Sequence, residues 1–283
     1  MTALPLPLVL VPATQRVAAL DACLASLERT LPAGARVLVA DHAAGPPQVE
    51  ALAQRWCARS RTAAEYRRAP RPLGLAANID AALADTGDDD VVVMLADAVA
   101  TPGWLERMAQ YARKDERIAT VSAWSNRSEL CAFPRPGEDN PVPAFPEQIA
   151  EAAAAAPWSE CPDLPAASGP CLLLRRAALA RLGALDCHSF AGEHAFDDFS
   201  RRAAAMGWRN VLCPAAYVVR QPAPPALTGG LDDLGPLLSR WPDFQEQVAR
   251  FILADPLRPL RDRLQARMDE LARGGPQADL FAR

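Results

Sequence analysis

Residues 91–105, VVVMLADAVATPGWL, constrain this chain more than any other segment. A run of Val, Met and Leu stops at a lone acid, Asp97, and a Thr-Pro-Gly-Trp helix start follows. Uninterrupted apolar β-formers read as a strand covered on both faces, the pattern of a parallel sheet with helices on each side. An acid at the carboxyl end of such a strand lies where open α/β sheets bind their ligands. The segment therefore predicts a layered α/β fold and places its chemistry at one edge of the sheet.

Composition limits what that fold can serve. At 283 residues, half of them hydrophobic, the chain can bury the core of one large α/β domain and carry an extension beyond it. A net charge of −4 gives no electrostatic footprint for nucleic acid. Seven cysteines, odd in number and never spaced C-x-x-C, argue for reduced thiols and against a zinc site or a disulfide frame. The first residues lack a basic n-region and are interrupted by Pro5, Pro7 and Pro12, unlike a signal peptide. No apolar run approaches membrane-spanning length. These features lead to the expectation of a cytoplasmic protein.

Strands are predicted at 8–11, 36–40, 65–68, in the run from 91 that stops at Asp97, and at 118–122, 166–174 and 211–219. Helices are predicted at 17–29, 47–58, 75–84, 102–113, 147–155, 177–182 and 196–206. The alternation implies a doubly wound, mostly parallel sheet. Residues 126–146 break it with a Pro-rich loop of the kind that carries function. After a linker at 221–225, residues 231–273 read as helices broken at Pro236, Pro242, Pro256 and Pro259. Leu237, Leu238, Trp241, Phe244, Val248, Phe251 and Ile252 form an apolar stripe there, suited to packing on the domain, to a dimer, or to a membrane surface.

The residues alone leave several roles open. Pro12, Thr14 and Asp41 fall at the carboxyl ends of the first two strands. A carboxylate there accepts hydrogen bonds from a base N–H or a ribose hydroxyl, and equally caps the following turn. In RPLGLAAN, Gly74 permits a tight turn and Asn78 follows one helical turn later. In GEHAFDDFSRR, Asp197 and Asp198 start a helix, where acids complement the helix dipole or act as acid–base groups. Trp124 and Asn126 open the Pro-rich loop, and either bind a sugar by stacking and hydrogen bonding or pack the loop itself.

In their order and spacing, these segments resemble the inverting glycosyltransferases of family 2, from residue 8 to about residue 221. The resemblance implies a GT-A-type (Rossmann-like) α/β fold, with a mostly parallel sheet, helices on both faces and a C-terminal helical tail. It divides the chain into a transferase domain, 1–221, and a helical extension, 222–283. By the family's I-P-x-Y-N and V-D-D-x-S turns and its N-x-G-x-x-x-x-N block, Pro12, Thr14, Asp41, Gly74, Asn78 and Asp97 contact the nucleotide. LPAASGPCLLLRR resembles the acceptor-side block, G-x-C-x-x-x-R-R. By the E-D/D-D block that follows, Asp198 is the general base, with Asp197 beside it and Glu193 in reserve. Trp124, Asn126 and His194 fall on the acceptor side. The loop at 124–134 is similar to that of members building O-antigen and other surface polysaccharides.

Departures from the family pattern centre on the metal. Family members hold a divalent cation, Mg or Mn, against the leaving diphosphate, and Asp97 is the matching ligand. Leu95 stands where an acid or Asn is usual, His42 replaces a second acid, and Gln221 stands where a His is common. Three expectations follow: a weak site of one carboxylate with phosphates and waters, a reaction without metal, or lost catalysis. The implied function is transfer of a sugar, with inversion, from a nucleotide-diphosphate sugar to a hydroxyl acceptor, glycan or other. It would run in the cytoplasm or peripherally at the inner face of the membrane. The alternative is a non-catalytic module that binds a nucleotide, a glycan or a partner enzyme. A nucleotidyltransferase would want a Gly-rich basic loop after the first strand, which residues 13–16 do not supply. A homodimer or a partner enzyme held through the C-terminal helices completes the list of partners.

Overall fold

The computed structural model describes residues 5–13, 15–137, 139–222 and 233–273. Thr14 and most of the linker lie outside them. Among the described residues, eight strands form one sheet. They are β1 (Leu8–Ala13), β2 (Arg36–Asp41), β3 (Ala63–Arg68), β4 (Val91–Met94), β5 (Ala98–Ala100), β6 (Ile118–Trp124), β7 (Cys171–Leu174) and β8 (Arg209–Arg220). Their order is β3-β2-β1-β4-β7-β6-β8-β5. β1 to β4 run parallel, β6 and β8 run parallel, and β7 and β5 are antiparallel to their neighbours.

Alternation along the central strands explains the layers. Leu8 and Leu10 of β1 and Val91 and Val93 of β4 point to one face, while Val9, Val11, Val92 and Met94 point to the other. The second face is covered by α1 (Val17–Thr30), α2 (Pro47–Arg59) and α4 (Trp104–Tyr111), through Leu20, Leu24, Val49, Trp104 and Met108. The first is covered by α3 (Leu75–Leu83), α5 (Pro146–Ala155), α6 (Arg176–Leu182) and α7 (His194–Ala205). Three C-terminal helices, α8 (Leu234–Arg240), α9 (Phe244–Ala254) and α10 (Arg258–Arg273), join that same layer. Leu237, Phe244, Val248, Leu260 and Leu264 of the tail are buried there. Of the apolar stripe, Leu237, Phe244 and Val248 are thus buried in the chain's own core, and Leu238, Trp241, Phe251 and Ile252 pack against it half-buried. No helix among the described residues is long and apolar enough to cross a membrane.

Several boundaries differ from the sequence expectation for identifiable reasons. β5 was not expected, because three residues carry no readable period; it pairs with the end of β8, Ala98 opposite Arg220. The strand expected at 166–174 shrinks to its last four residues. The N–H groups of Ala167 and Ser168 donate instead to the hydroxyls of Ser200 and Ser122, at 2.9 and 3.0 Å. The helix expected from residue 102 begins at Trp104, because Gly103 before it has φ +73°. Pro236 and Pro259 do not break helices but sit in the first turns of α8 and α10, where a missing N–H costs nothing. β8 shifts register between Cys213 and Tyr217, around Pro214, which has no N–H to offer a ladder.

One buried hydroxyl ties β5 to the helical layer. Ser26 of α1 donates to the Cys23 carbonyl at 2.6 Å and accepts the Ala100 N–H at 2.9 Å. Ser26→Ala leaves that strand N–H without a partner, and is expected to lower stability by about 1–3 kcal/mol. Urea unfolding checks it; a change within about 0.5 kcal/mol, the range of neutral surface substitutions, would show that the bond is dispensable.

Candidate active site

The carboxyl ends of β1, β2, β4 and β8 meet the amino end of α7, and the polar residues of the chain collect there. Asp41 ends β2 almost fully buried. Its Oδ1 accepts the Ala43 N–H at 2.7 Å and its Oδ2 accepts the Tyr66 hydroxyl at 2.6 Å. The first bond bends the chain so sharply that Ala43, with a Cβ, takes φ +60°. Burial and the Asp41 carboxylate together hold the Tyr66 phenol protonated well above its ordinary range. Asn78, buried in α3, donates its amide to the Ala40 carbonyl at 2.8 Å. Pro12 is buried at the end of β1. Gly74 begins α3 against the turn before α7, where a Cβ would stand 3.2 Å from the Ala191 carbonyl. These residues shape the strand ends, and the side chains of Asp41 and Asn78 are already hydrogen-bonded within the protein.

Asp97 sits in the turn between β4 and β5. Its Oδ2 receives the Arg220 Nε at 3.1 Å, and its backbone carbonyl receives the Gln221 N–H at 2.8 Å. The other two guanidinium nitrogens of Arg220 reach Glu193, at 3.2 and 2.5 Å. Asn126 fixes this arginine from behind. Its Oδ1 accepts the Arg220 N–H at 2.8 Å and its Nδ2 donates to the Arg220 carbonyl at 3.1 Å. Asn126 was expected to meet a sugar; the structure buries it and commits its amide to backbone. Trp124 is likewise fully buried, packed against Phe133 and capped by the Arg261 guanidinium, so it presents no stacking face.

Two adjacent acids of α7 differ because one helical step turns about 100°. Asp198 points inward with Ala195 and Phe199 and is 0% exposed. Its Oδ2 receives Arg202 Nε at 2.8 Å, and its Oδ1 receives Arg240 Nη1 at 2.9 Å and Trp241 Nε1 at 3.0 Å. Both oxygens of Asp198, expected to be the general base, are thus paired with cations and closed off from solvent. Asp197 stays at the surface of the cleft, its Oδ2 2.7 Å from His194 Nδ1. The His194 ring is 39% exposed, and the Asp197 bond raises its pKa above the ordinary value. Burial pushes Asp197 up, and the His194 bond opposes that rise. Glu129, from the long loop, is also raised, by burial and then by Asp197.

For a divalent cation these residues provide one carboxylate, Asp97, whose Oδ1 is without a partner. Among the described residues no three His, Cys, Asp or Glu side chains converge on one point. Leu95 and Ala96 are buried and apolar, and the Oδ2 of Asp97 is held by a guanidinium. Arg220, Tyr66, Glu129 and Arg240 were all missed by sequence reasoning. For Arg220 a signal existed: it ends an apolar strand as Asp97 does.

Comparisons with known proteins bear on the family and the fold. The profile described as "Glycosyl transferase family 2" matches residues 8–183. No curated protein sequence matches the chain. Among solved structures, the mannosyltransferase PcManGT from Pyrobaculum calidifontis, in complex with GDP-Man and Mn2+, superposes with TM-score 0.59 at 18% identity, over 99% of this chain and 79% of that one. GalNAc-T7, with UDP, GalNAc and Mn2+, gives TM-score 0.62 at 13% identity, over 98% and 58%. TarS from S. aureus gives TM-score 0.53 at 14% identity, over 96% and 44%, so the chain spans under half of it. The fold is the GT-A fold expected above.

The inward position of Asp198 has a measurable consequence. Asp198→Ala leaves Arg202 without its carboxylate, Arg240 with Asp186 alone and the Trp241 Nε1 without its acceptor, and is expected to cost about 1–3 kcal/mol of stability. Asp197→Asn keeps a polar group against His194 and should cost less. Denaturant unfolding of the two variants compares them directly; equal losses would show that the two acids are not differently placed.

Proposed function

The chain belongs to glycosyl transferase family 2, and from that premise we propose that it moves a sugar, with inversion, from a nucleotide-diphosphate sugar to an acceptor hydroxyl. The observation that carries this reading is the His194–Asp197 pair at the start of α7, one residue from the Glu193 that contacts Arg220. Asp197, as a carboxylate, can only accept, so Nδ1 of His194 carries the proton and Nε2 keeps its lone pair. Nε2 takes the proton of the acceptor hydroxyl as its oxygen bonds the anomeric carbon. The bond from that carbon to the diphosphate oxygen breaks on the opposite face. Asp197 is the positioning residue: it fixes the tautomer and stabilises the imidazolium that forms. The donor nucleotide lies along the strand ends at Pro12, Asp41, Gly74 and Asn78, with its diphosphate toward Asp97.

We assign residues 1–221 to the transferase body and 222–283 to an extension that braces α7 through Arg240 and Trp241. The reaction belongs to surface-polysaccharide or glycoconjugate synthesis at the cytoplasmic side of the membrane, on the likeness of the loop at 124–134. A second reading, a module that binds without turnover, is favoured by one observation: Asp97 and Glu193 are both already paired with Arg220.

Release of nucleoside diphosphate from a panel of UDP-, GDP- and dTDP-sugars, followed against pH, tests the assignment. His194→Gln should lower kcat by about 10²–10⁴-fold with donor KM little changed. The base works only when neutral, so activity should rise as pH climbs through the His194 pKa, which Asp197 holds above its ordinary value. Asp197→Asn should therefore shift the acid limb to lower pH while reducing kcat. Full activity in His194→Gln would remove it as the base, and no turnover of any donor by the unsubstituted chain would favour the binding module.

A further inference from the structure

A leaving diphosphate needs positive charge or N–H donors beside it, and this chain has built a cation into the place where it lacks metal ligands. Arg220 is the last residue of β8, opposite Ala98 in the ladder with β5, so its position relative to Asp97 is set by strand register. Asn126 brackets its backbone on both sides. The guanidinium then divides its work. Its Nε faces Asp97, whose side chain is 16% exposed, while the Nη1/Nη2 fork faces Glu193, whose side chain is 46% exposed.

The inner partner is fixed by the sheet, whereas the outer one sits on the cap of a helix and is half in solvent. A carboxylate held by both nitrogens of a guanidinium fork occupies a site that also matches two oxygens of a phosphate. Oδ1 of Asp97, the oxygen not held by the Arg220 Nε, is buried without a partner. A buried acceptor without a hydrogen is costly, and a hydroxyl of the sugar donor supplies the missing one. Counted as charges, Arg220 with Asp97 and Glu193 sums to one negative charge; with Glu193 displaced the site is neutral and repels a diphosphate less.

Resting on the transferase reading above, we propose that Arg220 takes the place of a divalent cation. Its outer fork, occupied by Glu193 in the free protein, binds the donor diphosphate in exchange for Glu193, and the chain engages its donor without metal. Glu193 then acts as a competitor built into the site, which sets the threshold for donor binding.

Isothermal titration of the full chain with UDP, GDP, dTDP and CDP, each in EDTA and in Mn2+, decides the matter. At least one diphosphate is expected to bind in EDTA, with a Kd within about 2-fold of its value in Mn2+. Arg220→Gln should weaken it by about 10-fold or more, the scale of one charge-assisted contact. Glu193→Gln, which removes the competitor and keeps the shape, should tighten it several-fold, and is informative even if the Arg220 variant fails to fold. Binding that requires Mn2+ would overturn the role of Arg220 and leave the transferase reading standing. An unchanged Kd in Glu193→Gln would overturn the exchange. Absence of binding in either condition would overturn both this inference and the transferase reading.

Discussion

Helices cover both faces of the sheet, and that exclusion of water decides where polarity can go. β1, β4, β6 and β7 are buried along their whole length, and the chain places apolar side chains on both sides of them. A charged group anywhere along these strands would be stranded in apolar surroundings. Charged side chains are left to the strand ends, the hydroxyls of Thr120 and Ser122 within β6 being buried against polar partners. Among the described residues, acids, a guanidinium and an imidazole come together at the edge where Asp97, Arg220 and His194 lie.

Many of the polar residues at that edge serve the scaffold. Asp41 shapes a turn, Asn78 and Asn126 hold backbone carbonyls, and Asp233 accepts the N–H groups of Ala191 and Gly192 at 2.8 and 2.6 Å. These bonds fix the strand ends and the turn before α7 so closely that Gly74 and Gly192 have little room for a Cβ. What remains at the cleft surface is a short series: Asp97, Arg220, Glu193, His194 and Asp197. A frame of satisfied polar groups holds these side chains in register.

The layered fold was legible because its signal is repeated in every strand: the run ending at Asp97, the alternation of helices, and the positions of most elements within a few residues. The site was legible in its neighbourhood but not in its roles. The α7 block drew attention to Glu193, His194, Asp197 and Asp198. Helical phase, with Ala195 and Phe199 beside it, pointed Asp198 inward, and Arg202 at i+4 was a readable partner. Arg240 was not readable, since nothing local relates it to an acid 42 residues earlier. Asn126 and Trp124 looked like ligand contacts because residue type carries no information about depth. Arg220 escaped notice because its neighbours Asp97 and Glu193 come from distant parts of the chain.

The arginine that closes on Asp198 comes from beyond the sheet. Arg240 belongs to α8 and contacts both Asp198 and Asp186, each at less than 3 Å. Up to the end of the sheet, Arg202 is the cation set against the inner acid of α7, on one of its two oxygens. The polar surroundings of the inner acid are therefore completed from outside the sheet, by Arg240 and Trp241 at the end of α8.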